Sequence, residues 1–80
     1  MTRVTVLYFA SLREASGTGA EQVESDAADL HAFYLELQQR HGFKLPANRL
    51  RVAVEGEFAK WSDALREGSE IAFIPPVSGG

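Results

Sequence analysis

Cysteine is absent from this chain of 80 residues. Disulfides, thiolate catalysis and cysteine-based metal sites are therefore excluded, and a cytoplasmic location is expected. Histidine is scarce too, because only His31 and His41 occur and their ten-residue separation is not typical of metal ligands. We therefore expect no metal site and no bound cofactor.

Clustered positive charge is missing as well. Eight Lys and Arg residues stand against 11 Asp and Glu residues, the net charge is −3, and the basic residues form no stripe. Nucleic acid is therefore not expected as a partner. No apolar run approaches the roughly 20 residues that a membrane span needs, and the first residues lead into strand-like alternation instead of a signal-peptide core. A membrane is not expected as a partner either.

The length allows one small domain with little room for a deep pocket in addition to a core. An apolar share of 45% is ordinary for a globular protein, so disorder is not expected. These limits favour a module that acts through a partner over a self-sufficient enzyme. No residue is assigned a catalytic role.

Residues 3–9 (RVTVLYF) are rich in β-branched and aromatic side chains and predict a strand. Both of its faces are apolar. Val4, Val6 and Tyr8 share one face, and Leu7 and Phe9 share the other. Such a strand is central and covered on both sides, or it keeps one side for a partner.

A short helix at Ala10–Ser16, a glycine turn and an edge strand at Ala20–Ser25 are predicted next. A longer helix then starts, with Ser25 and Asp26 as its predicted cap and Gly42 as its stop. Its apolar face is formed by Leu30, Phe33 and Leu37, with Ala27 and Tyr34 at the margins.

The second half predicts three strands, at residues 50–54, residues 58–61 and Glu70–Ile74. Residues 55–57 (EGE) are a tight turn, and residues 62–69 connect the last two strands. The expected fold is therefore α+β, a mixed sheet of four to five strands with one main helix packed on one face. The apolar first and last strands should lie side by side at the centre of a domain spanning residues 1–74.

Residues 75–80 (PPVSGG) are predicted to be a flexible tail. Two prolines favour an extended start, and the tail could reach roughly 19 Å at about 3.1 Å per residue. The final pair, Gly79 and Gly80, lacks Cβ atoms and could thread a slot one backbone wide. The Gly80 carboxylate is the reactive group that such a slot would receive. A frayed end without function is the alternative interpretation.

This order of elements, finished by Gly-Gly, is similar to the ubiquitin-like β-grasp fold. Residues 6–14 (VLYFASLRE) and 63–80 (DALREGSEIAFIPPVSGG) resemble the molybdopterin synthase small subunit family, the sulfur carriers of molybdenum cofactor synthesis. One departure is Glu55, where relatives often carry Asn.

The resemblance implies that the Gly80 carboxylate is adenylated by an enzyme that resembles ubiquitin's activating enzyme and uses ATP and Mg²⁺. A sulfur donor then makes a thiocarboxylate, which a large subunit uses to sulfurate a cyclic pyranopterin monophosphate. The family complex is a heterotetramer of two small and two large subunits. The inserted tail would comprise Pro75, Pro76, Val77, Ser78 and Gly79.

Contacts with the large subunit are expected at Phe9, Arg13 and Phe73.

Three other functions remain open. The chain could carry sulfur for another pathway, such as thiamine thiazole formation, although the double proline favours the molybdenum branch. It could be a protein modifier joined through Gly80 to a lysine, or a plain binding module.

Overall fold

The computed structural model of the protein describes residues 1–76, which form one five-stranded mixed sheet with two helices. In chain order the elements are β1 (Thr2–Tyr8), α1 (Ala10–Ser16), β2 (Ala20–Ser25), α2 (Leu30–His41), a 3₁₀ turn (Ala47–Arg49), β3 (Arg51–Val54), β4 (Glu57–Phe58) and β5 (Glu70–Ile74). The predicted α+β class with one main helix is confirmed.

The strands lie in the order β2-β1-β5-β3-β4. At the centre, β1 runs parallel to β5, while β2 pairs antiparallel with β1 and β3 pairs antiparallel with β5 and β4. The first and last strands are therefore neighbours, as their apolar composition predicts. Their parallel pairing brings the carboxyl ends of β1 and β5 to the same edge of the sheet.

The core lies between α2 and one face of the sheet. Alternation in β1 sends Val4, Val6 and Tyr8 into it, and α2 adds a stripe that includes Phe33 and Tyr34. Tyr34 is not at the margin, as its position in the helix pattern suggests, but is 0% exposed. Burial of the ring is possible because the hydroxyl donates a hydrogen bond of 2.6 Å to the Leu45 carbonyl oxygen.

The main helix begins later than predicted. Its cap is Asp29, whose Oδ1 accepts a hydrogen bond of 2.8 Å from the Ala32 N–H. Ser25 is buried instead, where its hydroxyl accepts from the Ala27 N–H and donates to the Glu36 carboxylate. The predicted stop at Gly42 is confirmed, with φ of 73° and an N–H that donates to the Gln38 carbonyl.

The hairpin between β3 and β4 turns on two residues, Glu55 and Gly56, with φ of 52° and 81°. Such φ values define a type I′ turn, in which Asn suits the first position better than Glu does. The Glu55 carboxylate offsets part of that strain by accepting a hydrogen bond of 3.2 Å from the Glu70 N–H.

The fourth strand is shorter than predicted and ends at Phe58. The chain then turns inward, so that the Trp61 ring lies 5.9 Å from the Phe73 ring and nearly parallel to it. Trp61 therefore packs against the core and does not extend the sheet edge.

Candidate functional site

The sheet has one face that neither helix covers within residues 1–76, here called the open face. Strand registers place Leu7 beside Ala72, Ala72 beside Ala53, and Ala53 beside Phe58. These side chains form one apolar row across the sheet, from β1 to β4. Because the two faces of a strand alternate, the row lies opposite the side that holds Val6, Phe73 and Val52.

The apolar part of the open face lies toward the carboxyl end of β5. Ile74 lies opposite Arg51, and continuing the register between β1 and β5 by one residue sets Phe9 level with Ile74. At the other end of β5, the row is polar, with Thr5 beside Glu70. The apolar area therefore adjoins the point where the chain leaves the sheet toward its last residues.

Exposure makes this area a candidate contact surface. Phe58 is 68% exposed and Phe9 is 45% exposed, which is unusual for phenylalanine outside an interface. Leu7, Ala72 and Ile74 are half-buried, so each keeps accessible apolar surface. Together these five side chains form an apolar area that neither α1 nor α2 covers.

The tail begins beside that area. Pro75 is half-buried and Pro76 is exposed, directly after the last residue of β5. The predicted flexible tail of residues 75–80 and the predicted sulfur-bearing Gly80 fall mostly on residues 77–80, which lie outside the described residues.

The three predicted partner contacts have different outcomes. Phe9 is exposed, immediately after β1, and Arg13 is exposed on α1, so both side chains are accessible to a partner. Phe73 is 0% exposed, and its ring lies 5.2 Å from that of Tyr34 in the core. A partner cannot reach Phe73, and the prediction of a contact there is wrong.

Phe58, Ile74 and Arg51 are the surface residues that the sequence interpretation missed. The alternating pattern assigns each of these three residues to a strand. It does not show which of the two faces of the sheet is covered by the main helix. The one signal was the second apolar face of the first strand, which Leu7 and Phe9 supply.

A polar cluster joins β1, β2 and the end of α2 on the covered side of the sheet. The Tyr8 hydroxyl donates a hydrogen bond of 2.6 Å to Glu21 Oε1, and His41 Nε2 lies 2.7 Å from the same oxygen. Burial raises the pKa of Tyr8, and the hydrogen bond and charge of Glu21 raise it further. Burial alone would raise the pKa of Glu21, but hydrogen bonds from Tyr8 and His41, with the positive charge of Arg40, lower it overall.

Replacing Glu21 with Gln should lower the free energy of unfolding by about 1 kcal/mol at pH 7, because a charged acceptor binds a hydroxyl more strongly than a neutral one. A carboxylate whose pKa is lower in the folded chain stabilises the fold above its unfolded pKa of about 4.3. That contribution is lost as the pH falls through the folded pKa. The difference between Glu21→Gln and the wild type, measured by urea denaturation, should therefore shrink as the pH falls below about 4.

Glu24→Gln is the matched control, on the same strand but in an exposed ion pair of 3.5 Å with Arg3. It should change the free energy of unfolding by less than about 0.5 kcal/mol at either pH. A Glu21→Gln loss that stayed equal at pH 7 and about pH 3 would contradict the role given to the charge of Glu21.

Neither helix in the described part of the chain has the length and apolar character needed to cross a membrane. Among residues 1–76, no group of His, Asp and Glu side chains gathers closely enough to hold a metal ion.

Comparison with known proteins shows the family to which the chain belongs. The model of the ThiS family matches residues 6–80. The chain belongs to the ThiS family. The match includes β1 from Val6 onward, both helices, all later strands and the final Gly-Gly.

Curated relatives of this ThiS-family chain are molybdopterin synthase sulfur carrier subunits. The one from Haemophilus influenzae is 38% identical over 80 residues, covering 96% of this chain and 99% of the relative. The one from Mycobacterium tuberculosis is 39% identical over 83 residues, covering all of both chains. The resemblance predicted from residues 6–14 and 63–80 is confirmed.

Solved structures show the same fold. SAMP1 from Haloferax volcanii has a TM-score of 0.79 at 27% identity, covering 98% of this chain and 99% of that one. A chain from the protein–protein complex of subunits 1 and 2 of the Helicobacter pylori molybdopterin-converting factor has a TM-score of 0.68 at 24% identity, covering 99% and 100%. The predicted ubiquitin-like β-grasp fold is confirmed for this member of the ThiS family.

Proposed function

We propose that this protein is the sulfur-carrier small subunit of molybdopterin synthase and acts in the cytoplasm without a catalytic side chain of its own. The observation that carries the proposal is the position of the apolar open face, which adjoins the start of the tail at Pro75. A partner seated on that face would lie next to the chain that must enter its active site. Membership of the ThiS family and the names of the curated relatives support the same function.

The Gly80 carboxylate is the proposed reacting group. One of its oxygens attacks the α-phosphorus of ATP on a Mg²⁺-dependent activating enzyme, and pyrophosphate leaves. Hydrosulfide (HS⁻) then attacks the acyl carbon and displaces AMP, and loss of the sulfur-bound proton leaves a thiocarboxylate. This order is needed because a free carboxylate is a poor electrophile, whereas an acyl adenylate has a good leaving group.

The large subunit of molybdopterin synthase is the proposed partner, in whose active site the thiocarboxylate gives its sulfur to a cyclic pyranopterin monophosphate. The likeness to one chain of the Helicobacter pylori complex supports pairing with a second subunit. Pro75 and Pro76 reduce the conformational entropy lost when residues 75–80 insert, because proline already favours the extended form. We propose insertion of Pro75, Pro76, Val77, Ser78 and Gly79 ahead of Gly80.

The test is reconstitution with purified components. The chain is incubated with the adenylating enzyme, MgATP and sulfide, and intact mass spectrometry should show one oxygen replaced by one sulfur in the C-terminal peptide. Adding the large subunit and cyclic pyranopterin monophosphate should then convert the pterin and return the carboxylate mass.

Other outcomes would identify the other functions. Complete thiocarboxylation without pterin conversion would replace the proposal with a sulfur carrier for another pathway. Isopeptide-linked adducts through Gly80 in cell lysate, without pterin conversion, would indicate a protein modifier. No sulfur uptake under conditions in which a known carrier is loaded would contradict both carrier functions.

A further inference from the structure

A groove of about 440 Å³ lies at the corner where the open face meets the start of the tail. Its apolar lining includes Leu50 and Ile74, together with Pro75 and Pro76 at the start of the tail. The groove therefore borders the segment that inserts into a partner under the proposed function. Its remaining lining comes from Asn48, Arg49, Arg51 and Phe58.

The groove is positively charged in a chain that is negative overall. Two guanidinium groups, Arg49 and Arg51, line it without any Asp or Glu side chain, although the net charge of the chain is −3. Within residues 1–76, the ion pairs join the N-terminus to Asp26, Arg3 to Glu24 and His41 to Glu21, so neither groove arginine takes part. The local field therefore favours a negatively charged ligand.

Arg51 is held in position. Its guanidinium carbon lies 5.2 Å from the centroid of the Phe58 ring, which is a cation–π contact. Arg51 is also fixed at its backbone, because it is the first residue of β3 and pairs in register with Ile74, the last residue of β5. A planar guanidinium group held in this way loses little conformational entropy when it binds a carboxylate through two parallel hydrogen bonds.

We propose that this groove docks an acidic side chain of the large subunit, whose carboxylate pairs with Arg51 and Arg49 while apolar neighbours pack on Phe58 and Ile74. The inference rests on the proposed function, since it names the chemistry of the partner at the same surface. Charge complementarity and continuity with the tail identify the occupant as a protein segment that arrives together with the active site. The contact sets the register of docking, so that the tail enters in one orientation.

The test measures the affinity of the purified large subunit for charge variants of the chain by calorimetry or interferometry. Arg51→Glu should weaken binding at least tenfold, and Arg51→Gln by a smaller factor, because a neutral side chain removes attraction without adding repulsion. The deficit should shrink as NaCl rises from about 0.05 M to 0.5 M, where the Debye length falls to a few ångströms. Arg49→Glu should weaken binding severalfold.

Arg66→Glu is the matched control, because it makes the same charge change at an exposed position outside this groove. It should leave the affinity within about twofold of wild type, as expected for an exposed charge that does not line the groove. Sulfur uptake from the adenylating enzyme should also stay within about twofold in Arg51→Glu, and its urea midpoint should match that of the wild type.

The outcomes separate the two proposals. If wild type binds the large subunit and converts the pterin but Arg51→Glu binds equally well, the acidic docking contact is wrong and the proposed function stands. If Arg51→Glu and Arg66→Glu lose affinity equally, the loss comes from the change in net charge and the proposed docking in the groove is wrong. If Arg51→Glu loses sulfur uptake instead, the groove serves the activating enzyme and the assignment to the large subunit is overturned. If the wild type shows neither binding nor conversion, the proposed function itself fails.

Discussion

A chain shortened by deletion of Gly80 should take up no measurable sulfur and support no pterin conversion. The deletion moves the terminal carboxylate back by about 3.1 Å, and a displacement of 1 Å at a reacting group can already cost on the order of 10²-fold in rate. Gly79→Ala should reduce conversion for a second reason, because under the proposed function the added Cβ would obstruct a slot that fits only backbone. Both effects are measured by intact mass and by pterin conversion.

The matched control is Lys60→Ala, an exposed substitution away from the tail that should keep full sulfur uptake. The deletion variant should also unfold at the same urea concentration as the wild type, because the sheet ends at Ile74. A variant with one alanine appended after Gly80 should be as inactive as the deletion. If that extended chain sustained cofactor synthesis without being trimmed, the role of the Gly80 carboxylate would be refuted.

Phe73→Ala should lower the free energy of unfolding by about 4 kcal/mol, the usual cost of emptying a buried phenylalanine site. The Phe73 ring packs between those of Tyr34 and Trp61 at centroid distances of 5.2 Å and 5.9 Å, so the surrounding rings cannot easily close the cavity. An 80-residue domain has roughly 4–12 kcal/mol of stability, so this loss removes a third or more of it. Urea denaturation measures the loss directly.

Phe58→Ala is the informative companion, since it removes the same ring from the open face. Because Phe58 is 68% exposed, the substitution should change the free energy of unfolding of the protein by less than about 0.5 kcal/mol. The affinity of this variant for the large subunit should fall at least tenfold, as expected if the Phe58 ring is an aromatic anchor that the partner buries. A stable Phe73→Ala variant with weak partner binding would reverse the assignments of the two rings. Phe73→Leu, which keeps most of the volume, provides a folded chain if Phe73→Ala does not fold.

Composition and alternation were sufficient to predict most of the fold. The bounds of α1, β2 and β5 follow from their sequences, and the apolar character of the first and last strands places them together at the centre. The start of α2 was harder to predict, because Ser25, Asp26 and Asp29 are all good capping residues. Only the folded chain shows that Ser25 is committed to Glu36.

The candidate site shows where sequence reasoning ends. The motif in residues 63–80 is readable without coordinates, but the side of the sheet on which Phe73 lies depends on its register with Tyr8. A shift of one residue would have exchanged Phe73 and Ile74 between core and surface. The cation–π contact of Arg51 with Phe58 depends on a two-residue hairpin whose strands differ in length from the sequence prediction.

The placement of β5 between β1 and β3 has a mechanical consequence. A partner that grips the end of the chain and draws it into a tunnel pulls along β5, which is hydrogen-bonded on both sides to neighbouring strands. A pull along the strand axis stretches the hydrogen bonds of β5 to β1 and β3 at the same time, so they resist the force together. Under the proposed function, the terminus could therefore be drawn into a partner, unloaded and released through repeated rounds while the sheet stays paired.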